Sequence, residues 1–207
     1  MLFRSGWSGT LVVEVAGTTA NFERVLGVPP GSYGQIAAAS WPEVGNLARA
    51  PLRIVVNSTA AAKLSDLGLQ LLLAHEATHV ATHSVDSPAP VWAIEGFADY
   101  VAYQAYPEAG KAAAAPLLAR VRDGRGPSTL PDPDWFRPAH GRLDLAYAEA
   151  WLACRYVAER YSPAQLNQLY QELDSGTRLD EATRLVLGVS ASQFVSGWRR
   201  YLSALAG

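Results

Sequence analysis

The chain has 207 residues, of which 49% are hydrophobic and 17% charged, with a formal net charge of −2. This describes one globular domain with room for a real core and excludes a disordered chain. With no basic block there is no electrostatic footprint for nucleic acid, and a single cysteine, Cys154, excludes an internal disulfide.

The opening residues, Met1-Leu-Phe-Arg-Ser-Gly-Trp7, make a poor signal peptide, because Glu14 interrupts the apolar stretch Leu11–Val15. That stretch reads instead as a strand. Asn21–Leu26 reads as a short helix, ended by Gly27 and Pro29-Pro30-Gly31. Tyr33–Ser40 is expected to be a strand, and Leu52–Val56 is a stronger one. A helix follows from about Ser65 to His83, with Ser65 or Asp66 as its N-cap. No segment has the length of a membrane span, so the chain as given is expected to be soluble. Its cellular location stays open, as does its belonging to a longer exported or anchored protein.

After a linker over Ser84–Pro90 the pattern turns helical, with helices expected near 91–105, 109–122, 144–161, 163–173, 179–187 and 190–205. Residues 123–143, rich in Pro, Asp and Gly, form the longest irregular stretch, a length more often functional than idle. Cys154 falls within a helical run and is expected to pack in the core. There is no internal repeat. The plan is α+β: a small sheet and one long helix over residues 1–83, then a helical subdomain over 84–207, together forming one domain.

Chemistry concentrates in His75-Glu76-Ala77-Thr78-His79, an H-E-x-x-H sequence. Two histidines four residues apart lie on one helix face, about 6 Å apart along the axis. They can close on one tetrahedral cation, while Glu76 reaches a bound water without ligating the metal. The apolar flanks Leu67–Ala74 and Val80-Ala81 suit a buried helix. Downstream, Val91-Trp-Ala-Ile-Glu95-Gly-Phe-Ala-Asp99-Tyr-Val-Ala102 reads as a second apolar helix carrying two carboxylates on one face. One can be a third metal ligand, and the other can accept a ligand histidine's free ring N–H.

The combination H-E-x-x-H and, after a short gap, W-x-x-E-G-F-A-x-Y resembles the gluzincin metallopeptidases. It is most similar to the aminopeptidase N type and the bacterial peptidase MA-like domains, and shares an E-x-x-x-D pattern with thermolysin. The likeness runs from about Gly34 to the C-terminus and is strongest over residues 73–102. It implies a zincin-like fold and a Zn²⁺ ion held by His75, His79 and Glu95. It also implies Glu76 as general base and Asp99 as the support of a ligand histidine, with a peptide or protein as substrate. A metzincin scheme fails, because Thr82 and Val85 stand where glycine and histidine are needed and Met1 is the only methionine. His83 lies about 12 Å of helix rise from His75, too far to share its ion.

Catalysis of this type needs a donor for the developing oxyanion. Tyr147 is the choice, since it opens a long helix after the irregular loop, where family members similarly place a tyrosine; His140 is the alternative. The aminopeptidases' G-A-M-E-N strand has no counterpart. The expected strand Gly34-Gln35-Ile36-Ala37 and its continuation offer small side chains for an extended peptide and no carboxylate for a free amine. The reading is therefore a zinc peptidase other than a typical aminopeptidase. Its rivals are a zincin-fold binding module without catalysis and a zinc hydrolase of a non-peptide substrate.

Overall fold

A computed structural model describes residues 10–42, 52–137 and 140–207. The residues Met1–Trp7 lie outside this set. The chain divides into two compact units, with the boundary between Asp86 and Ser87. Among the described residues the architecture is α+β: a three-stranded sheet and otherwise mainly helices.

In the first unit, β1 (Val13–Ala16), helix α1 (Thr19–Leu26), β2 (Ala38–Pro42) and β3 (Leu52–Asn57) precede a short helix, α2 (Ser58–Ala61), and the long α3 (Asp66–Thr82). The strand order is β1-β3-β2, with β1 parallel and β2 antiparallel to β3. Strand alternation sorts the side chains onto two faces. Val55, Ala39 and Trp41 pack with Phe22 and Leu26 of α1. Ala38, Leu52, Ile54 and Val56 pack with Leu69, Leu72, Leu73, Ala77 and Val80 of α3. The unit is thus a helix, a sheet and a helix in three layers.

The strand expected over Tyr33–Ser40 begins only at Ala38. Buried Glu23 causes the delay. Its carboxylate accepts the backbone N–H groups of Gly31 and Tyr33, both at 2.9 Å, and pins that loop to α1. Ile36 N–H then donates to Tyr33 O in a turn, and Gly34 and Gln35 fall inside it. Extended pairing starts where Asn57 N–H reaches Ala37 O at 2.9 Å, and the buried Asn57 side chain adds a bond to Ile36 O.

The second unit holds α4 (Val91–Ala102), α5 (Pro107–Arg122), α6 (Leu143–Arg160), α7 (Pro163–Asp174), α8 (Leu179–Leu187) and α9 (Ala191–Ala206). These bounds follow the sequence pattern closely, because caps are explicit: Ser162 accepts from Gln165 N–H, and Ser190 with Gln193 forms a capping box. Among its described residues, the irregular stretch 123–143 carries a 3₁₀ turn at Pro133–Phe136. Cys154 lies buried in the core of this unit, and burial raises its thiol pKa so that it stays protonated.

The decisive packing is α4 on α6. The buried face of α6 is rich in alanine, Ala146, Ala150 and Ala153 all being buried, so the two backbones approach closely. At the crossing stands Gly96, next to Glu95. A Cβ there would collide with the Ala150 carbonyl oxygen, lie 2.6 Å from its carbon and 3.0 Å from Cys154 Sγ. Helix propensity favours alanine over glycine by ~1 kcal/mol, but a backbone carbonyl inside a helix has nowhere to go. Gly96→Ala is therefore expected to destabilise the protein by ~1–3 kcal/mol net, read by denaturant unfolding. An unchanged or raised midpoint would show that α4 and α6 have slack at this point.

Candidate functional site

The two units carry separate halves of the sequence-predicted set. In the first, α3 begins with Ser65 accepting from Gly68 N–H at 3.1 Å and stays helical through both histidines. At about 100° per residue, the sheet-facing stripe Leu72, Leu73, Ala77, Val80 also includes position 76. Glu76 is accordingly buried, 7% exposed. A carboxylate so placed needs a partner, and β2 supplies it: the Ser40 hydroxyl donates to Glu76 Oε2 at 2.7 Å and lies 2.9 Å from the Glu76 carbonyl oxygen.

The histidines occupy the next strip round the helix. Their Nε2 atoms converge to 2.8 Å, with the rings edge-on at 83°. His79 is buried and His75 half-buried. The Nδ1 atom of His79 lies 2.9 Å from Ser84 Oγ. If that nitrogen donates its proton to Ser84, His79 Nε2 carries the lone pair of the neutral ring. Ser84 reaches back because the helix ends in a left-handed residue, His83, at φ 51° with its N–H turned to the carbonyls of His79 and Val80. His83 is exposed and closes the helix.

In the second unit, Glu95 and Asp99 stand one turn apart on α4, both half-buried on a helix whose residues Trp92, Phe97 and Ala98 are buried. Tyr147 sits in the second turn of α6, half-buried, with its ring edge-on to Phe136 at 5.3 Å between centroids. Asp99 and Tyr147 line the same cavity. His140 is exposed.

Sequence reasoning missed Ser40 and Ser84. Neither belongs to a motif. Ser40 is a small polar residue on the inward parity of a strand whose register was unknown, and Ser84 depends on the left-handed turn at His83. The strand placed at Gly34–Ala37 is also corrected: the edge strand runs Ala38–Pro42, with Gly34 and Gln35 in a turn before it. No protein-family model, no curated protein and no solved structure matches the chain. Among the described residues, no helix is long and apolar enough to cross a membrane.

One further ionisable group sits on α6, outside the predicted set. Glu149 is 2% exposed. Arg142, itself stacked on Trp135 at 3.9 Å, approaches its Oε1 only to 3.6 Å, and among the described residues Oε2 has no hydrogen-bond partner. Desolvation pushes the carboxyl up to about 7, with Arg142 and Arg120 opposing. The folded state thus binds this proton more tightly than the unfolded chain. Its stability contribution is fully present below about pH 4.5 and is lost as pH rises towards 7. The loss amounts to roughly 3 kcal/mol at most. Glu149→Gln is expected to flatten the stability profile across that window, measured by urea unfolding at several pH values; an unaltered slope would assign it to other groups.

Proposed function

We propose that this protein is a zinc-dependent peptidase of gluzincin type on a zincin-like fold. In this reading His75, His79 and Glu95 hold the ion, Glu76 is the general base, and Tyr147 donates to the oxyanion. The observation that carries the reading is the convergence of two imidazole nitrogens, 2.8 Å apart, one residue from a buried carboxylate on the same helix.

The donor set suits zinc. Two neutral imidazoles and one carboxylate are a zinc set that leaves a fourth position open. Ser84 at His79 Nδ1 is the kind of partner that fixes a ligand's tautomer and ring orientation. Asp99 serves a ligand histidine in the same way. Bound zinc would supply Lewis acidity and a water acidic near neutral pH.

The chain's own groups do the rest. Glu76 accepts the proton of the attacking water and passes it to the leaving amine. Ser40 holds Glu76 Oε2, so the base keeps one orientation. The same bond ties the base to β2, the sheet-edge strand on which an extended peptide can add as a further strand. Tyr147, at the start of α6, offers its O–H to the charge that develops on the scissile carbonyl oxygen.

Three measurements test this. Purified protein is expected to carry near one equivalent of zinc by elemental analysis and to lose it in His79→Ala. Stoichiometric zinc retained after all three ligands are replaced would sink the assignment. Ser84→Ala is expected to weaken zinc affinity by ~10–100-fold in chelator competition while the fold persists by circular dichroism; unchanged affinity would leave Ser84 a helix-end contact only. Glu76→Gln retains an acceptor for Ser40 and removes the base. It is expected to keep its zinc and lose hydrolysis by ~10²-fold or more. A wild type as inert as Glu76→Gln across a broad peptide panel, with zinc bound, would end the peptidase reading.

A further inference from the structure

Asp99 and Tyr147 open onto a cavity of about 440 Å³ that lies wholly within the helical unit. Its volume falls in the range of pockets that enclose a small ligand or a long side chain. Three aromatic rings wall it: Tyr103, Tyr147 and Trp151. Tyr103 and Trp151 meet edge-on at 5.2 Å between centroids, which fixes both rings. Two carboxylates, Asp99 and Asp144, line it, and among the described residues no arginine or lysine does. The α5 wall carries only alanine and proline, so the space is not filled by long side chains. Pro116, in the middle of α5, has no N–H to give the Ala112 carbonyl, and both residues line the cavity.

Aromatic faces, acidic groups and an absence of cations give a negative potential in a partly desolvated recess. Such a recess rejects anions, leaves neutral apolar groups to pay for desolvating carboxylates, and attracts a cation. Guanidinium fits best, since it is planar, stacks on rings and meets a carboxylate with paired donors. We propose that this cavity is a specificity pocket for a basic side chain of the peptide substrate, arginine before lysine, with Asp144 as its selecting charge. This rests on the peptidase reading, because Asp99 and Tyr147 join the pocket to the catalytic set of that reading. Asp144 itself is exposed in the first turn of α6 and takes no part in the catalytic set.

The test uses quenched fluorescent peptides identical except at one position, moved along the chain, that carries Arg, Lys, citrulline, Leu or Glu. Citrulline has arginine's shape without its charge. Wild type is expected to favour Arg over citrulline by ~10-fold in kcat/KM at one position. Asp144→Asn is expected to bring that ratio near one. Cleavage with no difference between Arg, citrulline and Leu at any position would overturn the pocket and leave the peptidase reading standing. The same peptides are titrated into zinc-loaded Glu76→Gln by fluorescence anisotropy. Tighter binding of the Arg peptide, lost in Asp144→Asn, without hydrolysis by wild type would uphold the pocket and overturn the peptidase. Equal binding of Arg and citrulline peptides together with no hydrolysis would overturn both.

Discussion

The first unit depends on how one helix divides its circumference. At about 100° per residue, α3 must give its sheet-facing stripe to apolar side chains, and position 76 falls on that stripe. A carboxylate is thereby carried into the α3–sheet layer with Leu72, Leu73, Ala77 and Val80 around it. An unpartnered buried carboxylate would cost several kcal/mol. The Ser40 hydroxyl at 2.7 Å offsets that cost and at the same time locks the register between α3 and β2. The histidines, one residue before and three after, turn away from the sheet for the same geometric reason. One period thus separates a sheet-held acid from a pair of imidazoles that face each other.

The second unit depends on a different constraint, the closeness of α4 and α6. Small residues at the crossing, Gly96 against the Ala150 backbone, bring the helices together where their orientation matters most. Glu95 precedes that glycine and Asp99 follows one turn later, while Tyr147 rides on the facing helix one turn before Ala150. Backbone contact is stiff compared with side-chain packing, because helical carbonyls cannot rotate away. The placement of Asp99 and Tyr147 on one cavity is therefore a property of the helix crossing rather than of their own rotamers.

How legible this was in the sequence follows from the range of the forces involved. Helix ends were readable because caps are local: Ser65, Ser162 and Ser190 each bond a backbone N–H three residues on. The histidine pair and the Glu95/Asp99 pair were readable because helical periodicity alone sets their faces. The start of β2 was not, since it depends on Glu23 capturing Gly31 and Tyr33 from eight and ten residues away. Ser40 and Ser84 were hidden for similar reasons, one behind sheet register and the other behind a left-handed turn at a residue other than glycine. The α4–α6 approach was not read from the sequence, because alanines within a helical run do not say which glycine of another helix meets them.

Asp99 carries two demands that pull on one charge. In the proposed function it would accept a ring N–H of a ligand histidine, which would concentrate its negative charge on that bond. As a wall of the cavity its charge also reaches Tyr103, whose phenol is pushed up to about 12 chiefly by burial and then by Asp99. The phenol thus stays neutral, so Tyr103 offers the cavity an aromatic face and a donor and never a competing negative charge. A group committed to a histidine is a poor selector of substrates, because any cation that drew it away would loosen the ligand it holds. Selection is better left to a carboxylate with no such duty, one exposed on the first turn of a helix. Asp144 meets that description. The division of labour between the two aspartates follows from where each sits: one in the middle of a packed helix, the other on the first turn of its neighbour.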